Sequence, residues 1–204
     1  MSRLVLEESF QKQALNPVLR WQNAPREWFV DQAAARLVVV PEAETDFWQR
    51  THYGFRADNG HFLYAEVEGD FRMTTRVEFH PRNQYDQAGL MVRFSDQVWV
   101  KTSVEYELEG PSKLGVVATR GGYSDWSLQD FPGECDVVEL QVARHAEDFL
   151  VEYRLEDASD WELMRVAHLD AAAGEPALCG LYACGPKGAG FRAEFARLWI
   201  AQEP

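Results

Sequence analysis

Val98-Trp99-Val100-Lys101-Thr102-Ser103-Val104-Glu105-Tyr106-Glu107-Leu108-Glu109 is the stretch on which the fold class turns. Val98, Val100, Thr102, Val104, Tyr106 and Leu108 alternate with Trp99, Lys101, Ser103, Glu105, Glu107 and Glu109. Successive side chains of an extended chain point to opposite faces, so this period of two predicts a strand with one face on a core. The alternation recurs in Phe71, Met73, Thr75, Val77 and Phe79 against Arg72, Thr74, Arg76, Glu78 and His80. It returns in Phe149, Val151, Tyr153 and Leu155 against Leu150, Glu152 and Arg154, and more loosely over residues 137–142, 163–169, 178–183 and 191–200. Turn formers fall between these runs at Gly69-Asp70, Pro81-Arg82-Asn83, Glu109-Gly110-Pro111, Gly121-Gly122, Pro132-Gly133, Ala158-Ser159-Asp160 and Gly185-Pro186-Lys187-Gly188. Many short strands with no amphipathic helix between them predict an all-β chain of two packed antiparallel sheets. The best helical candidate is a short turn over residues 8–15. With no internal repeat, linker or low-complexity tract, a single domain over residues 1–204 is expected.

Composition bounds the partners. The chain has 204 residues, 46% of them apolar and 13% aromatic, enough for a sizeable core. Its 33 acidic and 20 basic residues give a net charge of −13, which opposes nucleic acid and anionic membrane surfaces as partners. Charge interrupts the start, Met1-Ser2-Arg3-Leu4-Val5-Leu6-Glu7-Glu8, and no window approaches the roughly 18 apolar residues of a spanning helix, so a cytoplasmic location is the simplest expectation. Cys135, Cys179 and Cys184 lack C-x-x-C spacing, which reads as buried free thiols rather than a disulfide framework or zinc knuckle. No cofactor is expected, because no Gly-rich phosphate loop or nucleophile elbow appears.

Chemistry is densest between residues 45 and 127, where Trp48, Trp99 and Trp126 share short blocks with His52, His61 and several acids and glycines. In the run from Gln87 to Phe94, alternation sets Leu90, Val92 and Phe94 on a core face and Gln87, Gly89, Met91 and Arg93 on the other. Trp99, Lys101, Ser103 and Glu105 are the matching outward set of the next strand. Paired as a hairpin, the two strands bring Arg93 beside Trp99 and Met91 beside Lys101. A flat indole among Arg, Lys, Gln and Glu, with Gly89 leaving floor space, suits a sugar ring, and Arg93 and Lys101 also suit a sugar acid. The alternative is a solvated face carrying cross-strand ion pairs. The segment from Asp46 to His61 reads as a loop folded over one end of that sheet, with Trp48, His52 and His61 as candidate ligand contacts. Ser124-Asp125-Trp126-Ser127 reads as a second loop wall. Asp46, His52, Asp58 and His61 are suitable metal-ligand types, but their spacing matches no ligand motif and no metal is expected.

Trp21-Gln22-Asn23-Ala24-Pro25-Arg26-Glu27-Trp28, Thr45-Asp46-Phe47-Trp48, Thr51-His52-Tyr53-Gly54, Asp58-Asn59-Gly60-His61, Tyr85-Asp86-Gln87-Ala88-Gly89-Leu90-Met91, Trp99-Val100-Lys101 and Ser124-Asp125-Trp126-Ser127 together resemble the DUF1349 family. That family includes a fungal regulator-of-enolase protein and belongs to the concanavalin A-like lectin/glucanase superfamily. The resemblance runs from about Trp21 to the end of the chain. It implies a jelly-roll sandwich whose concave sheet carries the ligand groove. The E-x-D-x-x-E pair of acids found in jelly-roll glucanases is absent, and although Glu66, Glu68 and Asp70 would share a face of an unbroken strand, Gly69-Asp70 reads as the turn into the strand at Phe71.

Three functions from different classes are compatible with these residues. The favoured one is a non-catalytic carbohydrate or small-metabolite binding protein using Trp48, His52, His61, Gln87, Arg93, Trp99, Lys101, Glu105, Asp125 and Trp126. The second is a regulator that binds a metabolic enzyme such as enolase, as the resemblance implies. The third is a glycan-acting hydrolase or lyase, for which Glu105, His52 and Asp86 are the candidate acid–base groups. A homodimer through an exposed sheet edge is a further expectation.

Overall fold

The computed structural model describes residues 2–131, 137–156, 158–170 and 175–203. The expected turn at Pro132-Gly133 and the Cys135 thiol lie outside these. In chain order the strands are β1 (Arg3–Glu8), β2 (Arg20–Gln22), β3 (Glu27–Asp31), β4 (Arg36–Val40), β5 (Phe47–Gln49), β6 (Arg56–Asp58), β7 (His61–Val67), β8 (Phe71–His80) and β9 (Gln87–Arg93). They continue as β10 (Trp99–Glu105), β11 (Lys113–Arg120), β12 (Tyr123–Asp130), β13 (Val137–His145), β14 (Asp148–Arg154), β15 (Glu162–His168), β16 (Ala177–Cys184) and β17 (Arg192–Gln202). One antiparallel sheet runs β15-β14-β13-β8-β17-β4-β3, with β1 paired to the far end of β17. The other runs β12-β11-β10-β9-β16-β7-β2, and β5 and β6 form a separate hairpin. Among the described residues no helix is long and apolar enough to cross a membrane.

The alternating residues meet where the two sheets face each other. Val100 and Val104 of β10, Leu90 and Val92 of β9, and Leu181 of β16 pack with Met73 and Val77 of β8, Leu140 and Val142 of β13, and Leu198 and Ile200 of β17. Each is almost fully withdrawn from water, so burial of alternate side chains from both layers supplies the main driving force.

Residues 8–15 do not form the expected turn of helix. The Glu8 carboxylate accepts from the Phe10 and Asn16 amides at 3.0 and 2.7 Å, and Phe10 takes a left-handed backbone (φ 55°) that drives its ring into the core. Burial of one phenyl ring and a satisfied carboxylate outweigh the weak local helix preference. The segment after Gly121-Gly122 is likewise no loop: Ser124, Asp125, Trp126 and Ser127 belong to β12, paired residue by residue with β11.

The face of the second sheet turned away from the core is also covered. Residues 46–61, expected as a loop, contain the β5–β6 hairpin, which lies on this face. Phe47 packs edge-on against Trp99 and Tyr182 at ring separations of 6.5 and 6.3 Å, and a second apolar cluster joins these rings to Trp48, Phe62, Met91, Val117 and Cys184. Gly60 makes the closure feasible, since a β-carbon there would stand 2.4 Å from the Phe47 ring and 2.5 Å from Cys184 Sγ. Consequently β10 is buried on both faces and not on one.

Candidate functional site

Strand pairing fixes the frame of the site. Antiparallel pairing of β9 with β10 sets Arg93 opposite Trp99, Met91 opposite Lys101 and Gln87 opposite Glu105, as the hairpin geometry predicts. Two cations thereby stand on a face that the β5–β6 hairpin covers, and a buried cation is tolerable only with a partner. The hairpin brings both partners. Asp58 of β6 makes a two-pronged pair with Arg93 at 2.6 and 2.9 Å, and Asp46, just before β5, takes Lys101 Nζ at 3.1 Å.

Between hairpin and sheet a cavity of about 690 Å³ remains open, floored by Gln87, Lys101 and Glu105 and walled by Trp48, Trp126 and Tyr53. Trp48 is tilted against Tyr53 at 5.6 Å and stands edge-on to Trp126 at 6.1 Å, so three aromatic rings form a continuous wall. The Trp48 indole donates to the Thr51 carbonyl at 3.3 Å, which holds its ring. Gln49 of β5 anchors the hairpin to β12 by donating its amide to Ser124 Oγ at 2.9 Å.

Gln87 is the hub of the floor. Its Oε1 accepts from Lys101 Nζ at 2.8 Å and from the Tyr182 hydroxyl at 3.2 Å, while its Nε2 donates to Glu105 Oε2 and to the Tyr85 carbonyl, both at 3.2 Å. An amide has two donor hydrogens and two acceptor lone pairs, so Gln87 has no bond left for a ligand. Glu105 differs. It is only 6% exposed, and its Oε1 has no hydrogen-bond partner among the described residues. Burial pushes the Glu105 carboxyl up to about 8, opposed by Lys101 and reinforced by Asp46 and Glu107. Near neutral pH it therefore carries a proton, and the cavity floor presents an uncharged carboxyl beside a compensated Lys101–Asp46 pair.

Several expected contacts are used elsewhere. Trp99 is wholly buried beneath Phe47 and forms part of the support under the hairpin, with no exposed ring face for a ligand. Arg93 is occupied by Asp58. His61 is buried outside the cavity, where its Nδ1 donates to the Asn23 carbonyl at 2.6 Å and its Nε2 faces the Glu42 amide at 3.3 Å and the Glu42 carboxylate at 3.4 Å. His52 is exposed, held in a left-handed conformation (φ 61°), and borders a more open depression of about 900 Å³ with Arg120 and Tyr123. Asp125 points away from the floor to pair with Arg165 at 3.0 Å. Asp86 is fully buried and closes a turn by accepting from the Arg82 and Asn83 amides, each at 2.8 Å. Burial raises its carboxyl, against the pull of those two amides.

Of the three acid–base candidates, then, only Glu105 lines the 690 Å³ cavity. Among the described residues no group of three acids, histidines or cysteines could hold a metal ion, because Asp46, Asp58 and His61 each face a different partner. Gly89 leaves no floor space either: a β-carbon would fall 2.0 Å from the Thr102 carbonyl oxygen, so the glycine serves close backbone approach. Two residues that hold the floor in place, Asp46 in the lining and Tyr182 bonded to Gln87, have no signal in the sequence pattern. By spacing Asp46 reads only as a metal-ligand type, yet a buried lysine on a strand face calls for a carboxylate nearby, and Asp46 supplies it. Tyr182 sits in a run of plain β character with nothing local to mark it.

Two antiparallel sheets with this strand order, and a cavity on the outer face of one, make the molecule a concanavalin A-like jelly-roll β-sandwich. The chain belongs to the family described as Protein of unknown function (DUF1349), whose model matches residues 21–203. It is 33% identical over 184 residues to Regulation of enolase protein 1 of Saccharomyces cerevisiae, covering 90% of this chain and 89% of the relative. A crystal structure of a functionally unknown protein from the same yeast superposes with a TM-score of 0.83 at 31% identity, over 92% of this chain and 97% of that one. The GH43 protein BlXynB of Bacillus licheniformis shares the fold at a TM-score of 0.76 and 17% identity; the match takes in 97% of this chain and 39% of that protein.

Proposed function

We propose that this protein is a non-catalytic binder of a saccharide or similar small polar metabolite, held in the cavity between the β5–β6 hairpin and the outer face of the second sheet. The observation that carries this reading is Glu105, a lining residue whose buried Oε1 has no partner among the described residues, in a cavity walled by Trp48, Tyr53 and Trp126. An unpaired buried polar atom costs about 1–3 kcal/mol, a cost that a ligand hydroxyl would remove. Aromatic faces beside convergent polar groups fit the apolar C–H surface and hydroxyl edge of a sugar. The test is a thermal-shift screen of mono- and oligosaccharides, sugar acids and phosphosugars on the wild type and on Trp126→Ala. Trp126 is only half-buried on an edge strand, so this variant should keep its fold. A rise in melting temperature that the variant loses supports the reading, whereas a rise retained in full places the ligand elsewhere.

A second reading rests on the name of the yeast relative and on the rim. Tyr53 and Phe55 flank the cavity mouth at 56% and 48% exposure, which suits a protein surface as well as a ligand. Under this reading the chain binds a metabolic enzyme such as enolase. A complex with purified enolase by calorimetry, lost in a Tyr53→Ser/Phe55→Ser double variant, would favour it.

A further inference from the structure

The atoms still free on the cavity floor narrow the ligand class, on the reading that this cavity binds a small molecule. Gln87 is saturated and Tyr182 is spent on Gln87, so three groups remain. Lys101 Nζ has three hydrogens and gives two, to Asp46 and Gln87, leaving one. Asp46 Oδ1 accepts from Lys101 and from the Phe47 amide, while Oδ2 accepts from no described residue. Glu105 Oε2 accepts from Gln87, and Oε1 has no partner among the described residues.

We propose that this floor recognises two hydroxyls on adjacent carbons of a neutral sugar ring, with Lys101 donating to one, Glu105 donating to the other and both hydroxyls donating to Asp46, while the ring lies against Trp126. The stoichiometry closes: two donors serve two hydroxyl oxygens, and the two lone pairs of Asp46 Oδ2 take the two hydroxyl protons. With Glu105 protonated, the three cations of the lining, Arg56, Lys101 and Lys187, are matched by Glu44, Asp46 and Asp58, so the cavity offers no excess positive charge to a carboxylate or phosphate. The Glu105 proton follows from its burial, which holds the carboxyl near 8. The titratable groups that act on Glu105 or feel its charge are Asp46, Lys101, Glu107, Tyr85, Tyr182 and Cys184, of which burial keeps both tyrosines and the thiol neutral.

The experiment is calorimetric or saturation-transfer titration of the wild-type protein with the methyl glycosides of xylose, glucose, galactose and mannose, their monodeoxy analogues, glucuronate and glucose 6-phosphate. The expected result is binding of a neutral glycoside that weakens about tenfold or more when either of two adjacent hydroxyls is removed. Lys101→Met should abolish it, and affinity should fall as the pH is raised through about 8 in the wild type but not in Glu105→Gln. Should Lys101→Met fail to fold, the deoxy series and the pH comparison still decide. Preference for glucuronate or the phosphate, or indifference to deoxygenation, would overturn the diol assignment while leaving a small-molecule cavity standing. Absence of binding by every probe would remove both.

Discussion

Glu105→Gln should stabilise the unliganded protein at alkaline pH and leave it nearly unchanged in acid. The unfolded chain ionises this carboxyl at its ordinary value of 4.5, while the folded protein resists until about 8. Below 4.5 the group is protonated in both states and contributes nothing. Between the two values the unfolded state gains a charge that the native site refuses, so the destabilisation grows by about 1.4 kcal/mol per pH unit and is complete above 8. Over this window it sums to on the order of 4–5 kcal/mol, an upper figure because water reaching the cavity would reduce it. Glutamine is the neutral isostere of the protonated acid, keeping the shape and losing the titration. Urea denaturation of both proteins from pH 5 to pH 9 measures the difference directly. The two stabilities should diverge as pH rises, with the variant the more stable. A constant difference across the range would refute the account of Glu105 as a buried, normally neutral acid, and with it the neutrality of the cavity floor taken as a whole.

Other perturbations separate the hairpin from the sheet beneath it. Trp99→Ala removes a fully buried indole from under Phe47 and should cost about 3–5 kcal/mol by chemical denaturation, whereas a ligand-contacting tryptophan on an open face would cost far less. Asp58→Asn leaves the Arg93 guanidinium without its counter-charge; because Asp58 is about a third exposed, the loss should be about 1–3 kcal/mol and accompanied by faster amide exchange at Phe47 and Trp48. His61→Ala should lower stability by about 1–3 kcal/mol without altering ligand affinity, as a pair of titrations would show.

The legible part of the fold lies where one face is apolar and the other is not. β8, β10 and β14 show this in their own residues, and the short connection between β9 and β10 then dictates that Arg93 meets Trp99 and Met91 meets Lys101. The hairpin over the second sheet is different. Residues 46–61 carry glycines, polar groups and short apolar runs, the local signature of a loop, and their strand character comes from packing on Trp99 and Tyr182. Because that cover could not be foreseen, Trp99 reads as a sugar platform and Arg93 as a free cation, although a carboxylate 35 positions earlier occupies the latter. His61 and Asp86 are likewise committed by backbone groups that no spacing rule reveals. Glu105 and Lys101 could be placed on one face by alternation alone, but the Gln87 hub that spends its whole bonding capacity between them depends on the exact placement of Tyr182 and the Tyr85 carbonyl.

β16 and β17, which follow every other strand described in the chain, occupy interior positions. β16 lies between β9 and β7, and β17 lies between β8 on one side and β4 and β1 on the other. The second sheet cannot close before β16 has emerged, nor the first before β17, so β7, β8 and β9 wait with open edges and apolar faces. Such late, long-range closure makes folding slow and the nascent chain prone to aggregation. Loss of β17 alone should therefore leave a chain that chaperones retain, and the yield of folded protein should depend on synthesis rate and growth temperature as much as on the stability of the finished sandwich.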